Sequence, residues 1–159
     1  LIFGSGTYGA DKLFNKQEGK LERALIFVAE KEYGKSVMKV LNGQFNITKF
    51  RTFFQGEPRV TINEFAGGNL DFLIACKRIS EGLNIKQVKT IVLFSSDSGR
   101  LTTTQRIGRA LRIDPQNKNK KALVVDFICR EKGKEEADTS DKRRRGWLRD
   151  LSEAKGPSD

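Results

Sequence analysis

Residues 105–112 read QRIGRALR. A guanidinium is permanently charged and forked, which suits it to a phosphate group. At about 100° per residue, Gln105, Arg109 and Arg112 fall within roughly 60° of one another on a helix. Ile107, Ala110 and Leu111 gather on the opposite side. The spacing predicts a helix over Thr102–Arg112 with an apolar back and a front of two guanidiniums and an amide. Pro115 helps to close it. Gly108 lies beside that front. Glycine in a helix interior costs about 1 kcal/mol relative to alanine, and close approach of a ligand or a second backbone is one reason to find it there. Taken alone, RxxR on a helix more often marks a solvated basic face.

Other chemistry is restricted. The chain has no histidine, which removes Ser-His-Asp and Cys-His catalysis and most zinc sites. Cys76 and Cys129 lie in separate apolar runs, LIAC and FIC, without CxxC spacing. They read as buried free thiols of a reducing, cytoplasmic compartment. GSGTYGADK at 4–12 offers a GxxxxG, but Ala10 and Asp11 stand where a P-loop needs lysine and a hydroxyl. An aspartate there repels phosphate, so residues 1–22 read as a flexible leading linker.

The 159 residues suffice for one domain with a core. A formal net charge of +10 fits an anionic partner, nucleic acid before an acidic membrane surface. No apolar run approaches the length of a membrane span and no signal peptide is visible, so no membrane partner is expected. The chain starts at Leu1 without a methionine, and we read it as a piece of a longer protein.

The elements that must position the arginines follow from hydrophobic patterning. Five β-branched, apolar runs predict strands: ALIFVA at 24–29, ITKFRTFF at 47–54, LDFLIAC at 70–76, VKTIVLF at 88–94 and ALVVDFI at 122–128. Four are nearly continuous in apolar character, as strands buried on both faces are. ITKFRTFF alternates more and suits a position nearer a sheet edge. Tyr33, Val37, Val40 and Leu41 share a helical face, with Gly43 as a stop signal. Pro58 sits where a second helix can begin, and Val60, Ile62, Phe65 and Ala66 give it a rougher stripe ending at Gly67-Gly68. A short turn covers Ser80–Ile85. Strand and helix alternate, which predicts an α/β fold with a mostly parallel sheet covered on both faces. Residues 130–146 hold almost nothing apolar and read as a solvated or disordered basic linker. Trp147, Leu148 and Leu151 then offer the face of a short last helix. The expected organisation is a linker over 1–22, a domain over 23–129 and a polar linker with a short helix over 130–159.

The order of these segments resembles the second RecA-like domain of a superfamily 2 helicase or translocase, from Leu25 to Phe127. ALIFVAEKEYGKSVMKVL is similar to the opening strand and helix called motif IV. FFQGEPRVTINEF followed by AGGNLDFLIAC is similar to the family's glycine, arginine, phenylalanine and glycine landmarks. ISEGLNI resembles motif V and QRIGRALR resembles motif VI, the most specific piece. The resemblance implies that Arg109 and Arg112 reach the γ-phosphate of ATP across a cleft between two lobes. It implies that Gln105, with Gly108 beside it, faces that cleft, and that Gly82 and Asn84 lie near the ribose and phosphates. Asn84 stands where many relatives have aspartate; an amide still hydrogen-bonds a hydroxyl. Cys76 stands where many relatives have a phosphate-binding threonine, and a thiol is a poor donor.

Gln55, Gly56 and Arg59, and Lys77, Arg78 and Ser80, follow predicted strands. They are the candidate nucleic-acid contacts, because α/β sheets bind ligands at the carboxyl ends of their strands. Surface charge is the competing reading for Arg59 and Arg78, and a plain tight turn for Gly82. A glutamine-led motif VI is unlike that of DEAD-box RNA helicases and closer to restriction-enzyme and DNA-repair helicases. It implies double-stranded DNA held by its backbone, with sequence-independent, salt-sensitive binding. No P-loop or DExx motif stands in the expected order; Val125-Asp126 comes after motif VI. The resemblance thus implies the arginine half of an ATP site, with the Mg²⁺ held by an N-terminal lobe of the same parent protein, and an inactive isolated chain. Two rivals remain: a non-catalytic RecA-like interaction module, and a Rossmann-type domain of a small-molecule enzyme, which needs a GxGxxG turn after a strand.

Overall fold

The computed structural model describes residues 21, 23–76, 88–94, 100–110, 123–127 and 140–153, except the side chains at 102, 106, 109, 110, 140, 141, 152 and 153. Five strands form one parallel sheet in the order β2-β3-β1-β4-β5. They are β1 (Ala24–Val28), β2 (Phe50–Phe53), β3 (Phe72–Cys76), β4 (Thr90–Leu93) and β5 (Leu123–Asp126). Among the described residues four helices accompany them: α1 (Lys31–Phe45), α2 (Val60–Ala66), α3 (Arg100–Ala110) and α4 (Ser140–Glu153).

β1 is apolar at every position because both its faces are covered. Ala24, Ile26 and Val28 point to one core with Val37 and Leu41 of α1. Leu25 and Phe27 point to the other, with Phe65 of α2 and Ile107 of α3. β1 therefore sits at the centre, in register with β3 (Val28 opposite Cys76) and β4 (Phe27 opposite Leu93). The connection from β1 runs through α1 toward β2, and that from β4 runs through α3 toward β5. Right-handed crossovers in opposite directions place helices on opposite faces, as the two cores require. The reversal makes the carboxyl ends of β1 and β4 the topological switch point, where open α/β sheets bind ligands.

Local chemistry explains most element ends. Gly34 is buried in the first turn of α1, where an added Cβ would stand 2.5 Å from Phe54 Cζ. The helix and the end of β2 approach closely only because this position lacks a side chain. α2 ends at Gly67, where the Arg23 Nη2 donates to the Ala66 carbonyl at 2.6 Å. The same guanidinium lies 5.8 Å from the Phe65 ring centroid. Among the described residues no helix is long and apolar enough to cross a membrane.

Four expectations need correction. Gly43 does not stop α1, which runs on to Phe45 and ends at Asn46 in the left-handed conformation (φ 50°). Phe45 packs on the core and draws the helix past the glycine. In α2 the buried face is Thr61 and Phe65, whereas Val60 is 56% exposed. β5 is an edge strand whose first residue, Leu123, is exposed. Its apolar run reads like a fully buried strand because Val125 turns to one core and Val124 packs against the other. The charge-rich run is helical from Ser140 onward, and Arg144 in its midst is 1% exposed. Its Nε donates to Asp126 Oδ2 at 2.6 Å and its Nη2 to the Phe127 carbonyl at 3.3 Å. Composition cannot distinguish such an anchor from its solvated neighbours. Trp147 is buried and Leu148 packs on the core, as their apolar face predicts, but Leu151 is exposed.

Candidate functional site

The described candidates lie on α3 (Gln105 and Gly108) and at the carboxyl edge of the sheet after β2 (Gln55, Gly56 and Arg59). On α3, Thr103 and Ile107 are one turn apart and buried. They seat the helix, which leaves Gln105 and Gly108 exposed. The helix backbone carries position 109, one turn after Gln105. The Arg109 side chain and the whole of Arg112, Leu111 and Pro115 lie outside the described residues. A Cβ added at Gly108 would meet nothing within 4 Å among the described residues. Packing among those residues therefore does not require glycine there.

After β2, Phe54, Gln55, Gly56 and Glu57 form a turn closed by the Glu57 N–H donating to the Phe54 carbonyl at 3.0 Å. Gly56 occupies its third position with φ +90°, a conformation costly for other residues. Glu57, which pattern reading passed over, holds the turn. Its Oε2 accepts from the Phe54 N–H and its Oε1 from the Thr52 hydroxyl, each at 2.9 Å. The signal was a carboxylate three residues after Phe54, which follows the strand, a local bond too common to single out. The turn presents Gln55 and Gly56 to solvent. Arg59, exposed at the N-cap of α2, contributes its carbonyl to the helix and makes no side-chain cap bond.

Cys76 ends β3. It is a free thiol but half-buried, not fully buried as expected. Burial, then the charges of Glu30 and Glu57, push its pKa up, against a smaller opposing effect of Lys31. A neutral thiol flanked by carboxylates makes a poor phosphate contact, in keeping with the low weight the sequence gives it. Gly82, Asn84, Lys77, Arg78, Ser80, Cys129 and the GSGTYGADK stretch lie outside the described residues. On the α1 face, Phe94 stacks on Phe127 (centroids 4.9 Å apart, planes 16°) and meets Tyr33 edge-on at 6.5 Å. This trio ties the ends of β4 and β5 to α1. Among the described residues no three His, Cys, Asp or Glu side chains group as a metal site would.

The chain matches the helicase conserved C-terminal domain over residues 10–114. It is 26% identical over 136 residues to the ATP-dependent DNA helicase fml1 of Schizosaccharomyces pombe, covering 78% of this chain and 15% of that protein. It is 28% identical over 146 residues to the ATP-dependent DNA helicase MPH1 of Pyricularia oryzae, covering 82% and 12%. The chain thus spans under a sixth of the length of these relatives. Among solved structures, the Pyrococcus furiosus Hef helicase domain superposes with a TM-score of 0.56 at 21% identity, over 84% of this chain and 25% of that one. The C-terminal domain of the DEAD-box protein Dbp5 does so with a TM-score of 0.63 at 18% identity, over 91% and 79%. The match covers more than half of the chain, the five-stranded parallel sheet agrees with it, and the chain belongs to the helicase conserved C-terminal domain family, the second RecA-like lobe of superfamily 2 helicases.

Proposed function

We propose that this lobe is the arginine side of a divided ATP site and a backbone-holding surface in an ATP-dependent DNA helicase or translocase. The observation that carries the reading is α3. Ile107 seats it in the core with Leu25 and Phe27 of β1 and Ile91 and Leu93 of β4, and it turns Gln105 and Gly108 outward. That open surface fits a nucleotide held against it by a second lobe. Bound ATP supplies a transferable phosphoryl group, whose charge spreads over its oxygens in the transition state. Arg109 and Arg112 neutralise that charge, and Gln105 and Gly108 border it. Gly82 and Asn84 meet the ribose side. Mg²⁺ belongs to the other lobe of the parent protein. Gln55, Gly56, Arg59, Lys77, Arg78 and Ser80 hold the DNA backbone, and alternate closing and opening of the lobes shifts those contacts along it.

The test is turnover. In the parent protein, Arg109→Ala or Arg112→Ala is expected to lower DNA-stimulated ATP hydrolysis by about 10³-fold or more, as removal of an arginine finger does. The 159-residue chain alone should show no magnesium-dependent hydrolysis. Unchanged turnover in both variants would leave a non-catalytic interaction module as the reading.

A further inference from the structure

By charge alone, a carboxylate is out of place on a surface that holds a phosphate backbone, and Glu57 stands between Gly56 and Arg59. Its hydrogen bonds give it another use. Oε2 accepts from the Phe54 N–H and Oε1 from the Thr52 hydroxyl, each at 2.9 Å. In return the Glu57 N–H donates to the Phe54 carbonyl at 3.0 Å. Phe54 and Glu57 are thus bonded twice, once in each direction, across the two residues between them. Both carboxylate oxygens are engaged, and a bond from an N–H to an ionised acceptor is of the stronger kind.

The tip that this clasp holds is otherwise weakly determined. Phe53 and Phe54 are buried in opposite cores, and the Phe54 ring lies against Gly34. Beyond them Gln55 and Gly56 are exposed, with Gly56 at φ +90°, where glycine is permissive. Ordering such a tip on contact with a ligand costs backbone entropy unless the tip is held beforehand. The N–H groups of Gln55 and Gly56 take no part in the turn's own bonds. Among the described residues the Gln55 side chain and the Arg59 guanidinium have no partner. The turn therefore offers donors outward while its one carboxylate is bonded back onto the end of β2, the polarity a phosphate requires.

We propose that Glu57 is a positioning residue for DNA-backbone binding: its carboxylate holds the turn at 54–57 in the shape that presents Gln55, Gly56 and Arg59 to a phosphate, without touching DNA itself. The proposal rests on the DNA-holding reading above. Charge and position make opposite predictions. A carboxylate that merely sits near a phosphate weakens binding, so its removal tightens it. A carboxylate that shapes the contact strengthens binding, so its removal loosens it.

The test is fluorescence anisotropy of a labelled random-sequence DNA duplex with the full chain at fixed salt. Glu57→Ala should weaken binding about tenfold, the equivalent of leaving one backbone residue to be ordered on contact. Glu57→Gln should bind within about twofold of the unaltered chain or more tightly, because its amide oxygen still accepts from Phe54 and its NH₂ can donate to the Thr52 hydroxyl. Thr52→Val, which removes one of the two bonds, should fall between. In a Gln55→Ala, Arg59→Gln background, where most of what the turn presents is gone, the Glu57→Ala loss should shrink to about threefold or less. A role in stability alone lowers the urea midpoint of Glu57→Ala and leaves its affinity unchanged, which overturns the proposal. So do tighter binding by Glu57→Ala, equal losses from the Ala and Gln variants, or an undiminished loss in the double background. If Glu57→Ala does not fold, Thr52→Val and Glu57→Gln decide. Weaker binding by the first with retention by the second supports the proposal, and any other pattern overturns it. Where Gln55→Ala, Arg59→Gln weakens binding but Glu57→Ala does not, the DNA-holding reading stands without Glu57. If that double variant binds as the unaltered chain does, or the unaltered chain binds no duplex at all, both fall.

Discussion

Two glycines make opposite predictions. Gly34 leaves Phe54 only 2.5 Å from the place of a Cβ, so Gly34→Ala must push the ring or the helix aside. We expect a loss of about 1–3 kcal/mol, read as a lower urea midpoint. Gly108 has open space among the described residues, and Gly108→Ala should raise the stability of the chain by up to about 1 kcal/mol through helix propensity. The same variant should lower ATP turnover in the parent protein if a nucleotide or second lobe closes on α3; higher stability with unchanged turnover counts against that. Cys76 gives a pH prediction. Its thiol is held above the ordinary value of 9.0 by burial and by Glu30 and Glu57, so alkylation should accelerate only at higher pH than for a free thiol. A raised folded-state pKa favours the neutral thiol. The stability it contributes is therefore full below 9.0 and falls as pH rises toward the folded value. Glu57→Gln should shift the alkylation profile to lower pH.

At the scale of elements, α4 hangs on one buried pair. Removing one partner of a buried, hydrogen-bonded ion pair strands the other charge and typically costs about 3–5 kcal/mol. Arg144→Ala should release α4 from β5 by breaking its bond to Asp126. The reporter is built in, because Trp147 is the chain's single tryptophan and is buried. Its emission should move to the red in Arg144→Ala. The double variant Arg144→Met, Asp126→Leu, which buries no stranded charge, should recover much of the stability. An unmoved emission in Arg144→Ala would mean that Trp147 and Leu148 suffice to hold the helix.

For the whole molecule, the sheet order ranks its parts. β1 is covered on both faces and paired on both sides, whereas β5 pairs on one side only. Leu25→Ala should cost about 2–5 kcal/mol. Leu123→Ala, at 36% exposure on the margin, should cost under about 1 kcal/mol. Comparable losses in urea denaturation would contradict the central placement of β1.

The strands, their parallel class and the amphipathic helix before Ala110 were legible in the chain, because they follow from period-2 and period-3.6 burial of side chains by the nearest layer. QRIGRALR and its place after the fourth strand carried the family. What neither pattern nor motif determined is long-range. The reversal at β1 and β4 depends on which strands pair. The choice of Arg144 over Arg143 or Arg145 as the buried one depends on Asp126 waiting at the end of β5. Glu57 as the clasp of the Gln55-Gly56 turn depends on how β2 ends. Local sequence specifies which side chains want burial or a phosphate. Only the packed sheet decides which charge meets its partner inside, because burying a guanidinium is tolerable only where a carboxylate and a free carbonyl are already in place.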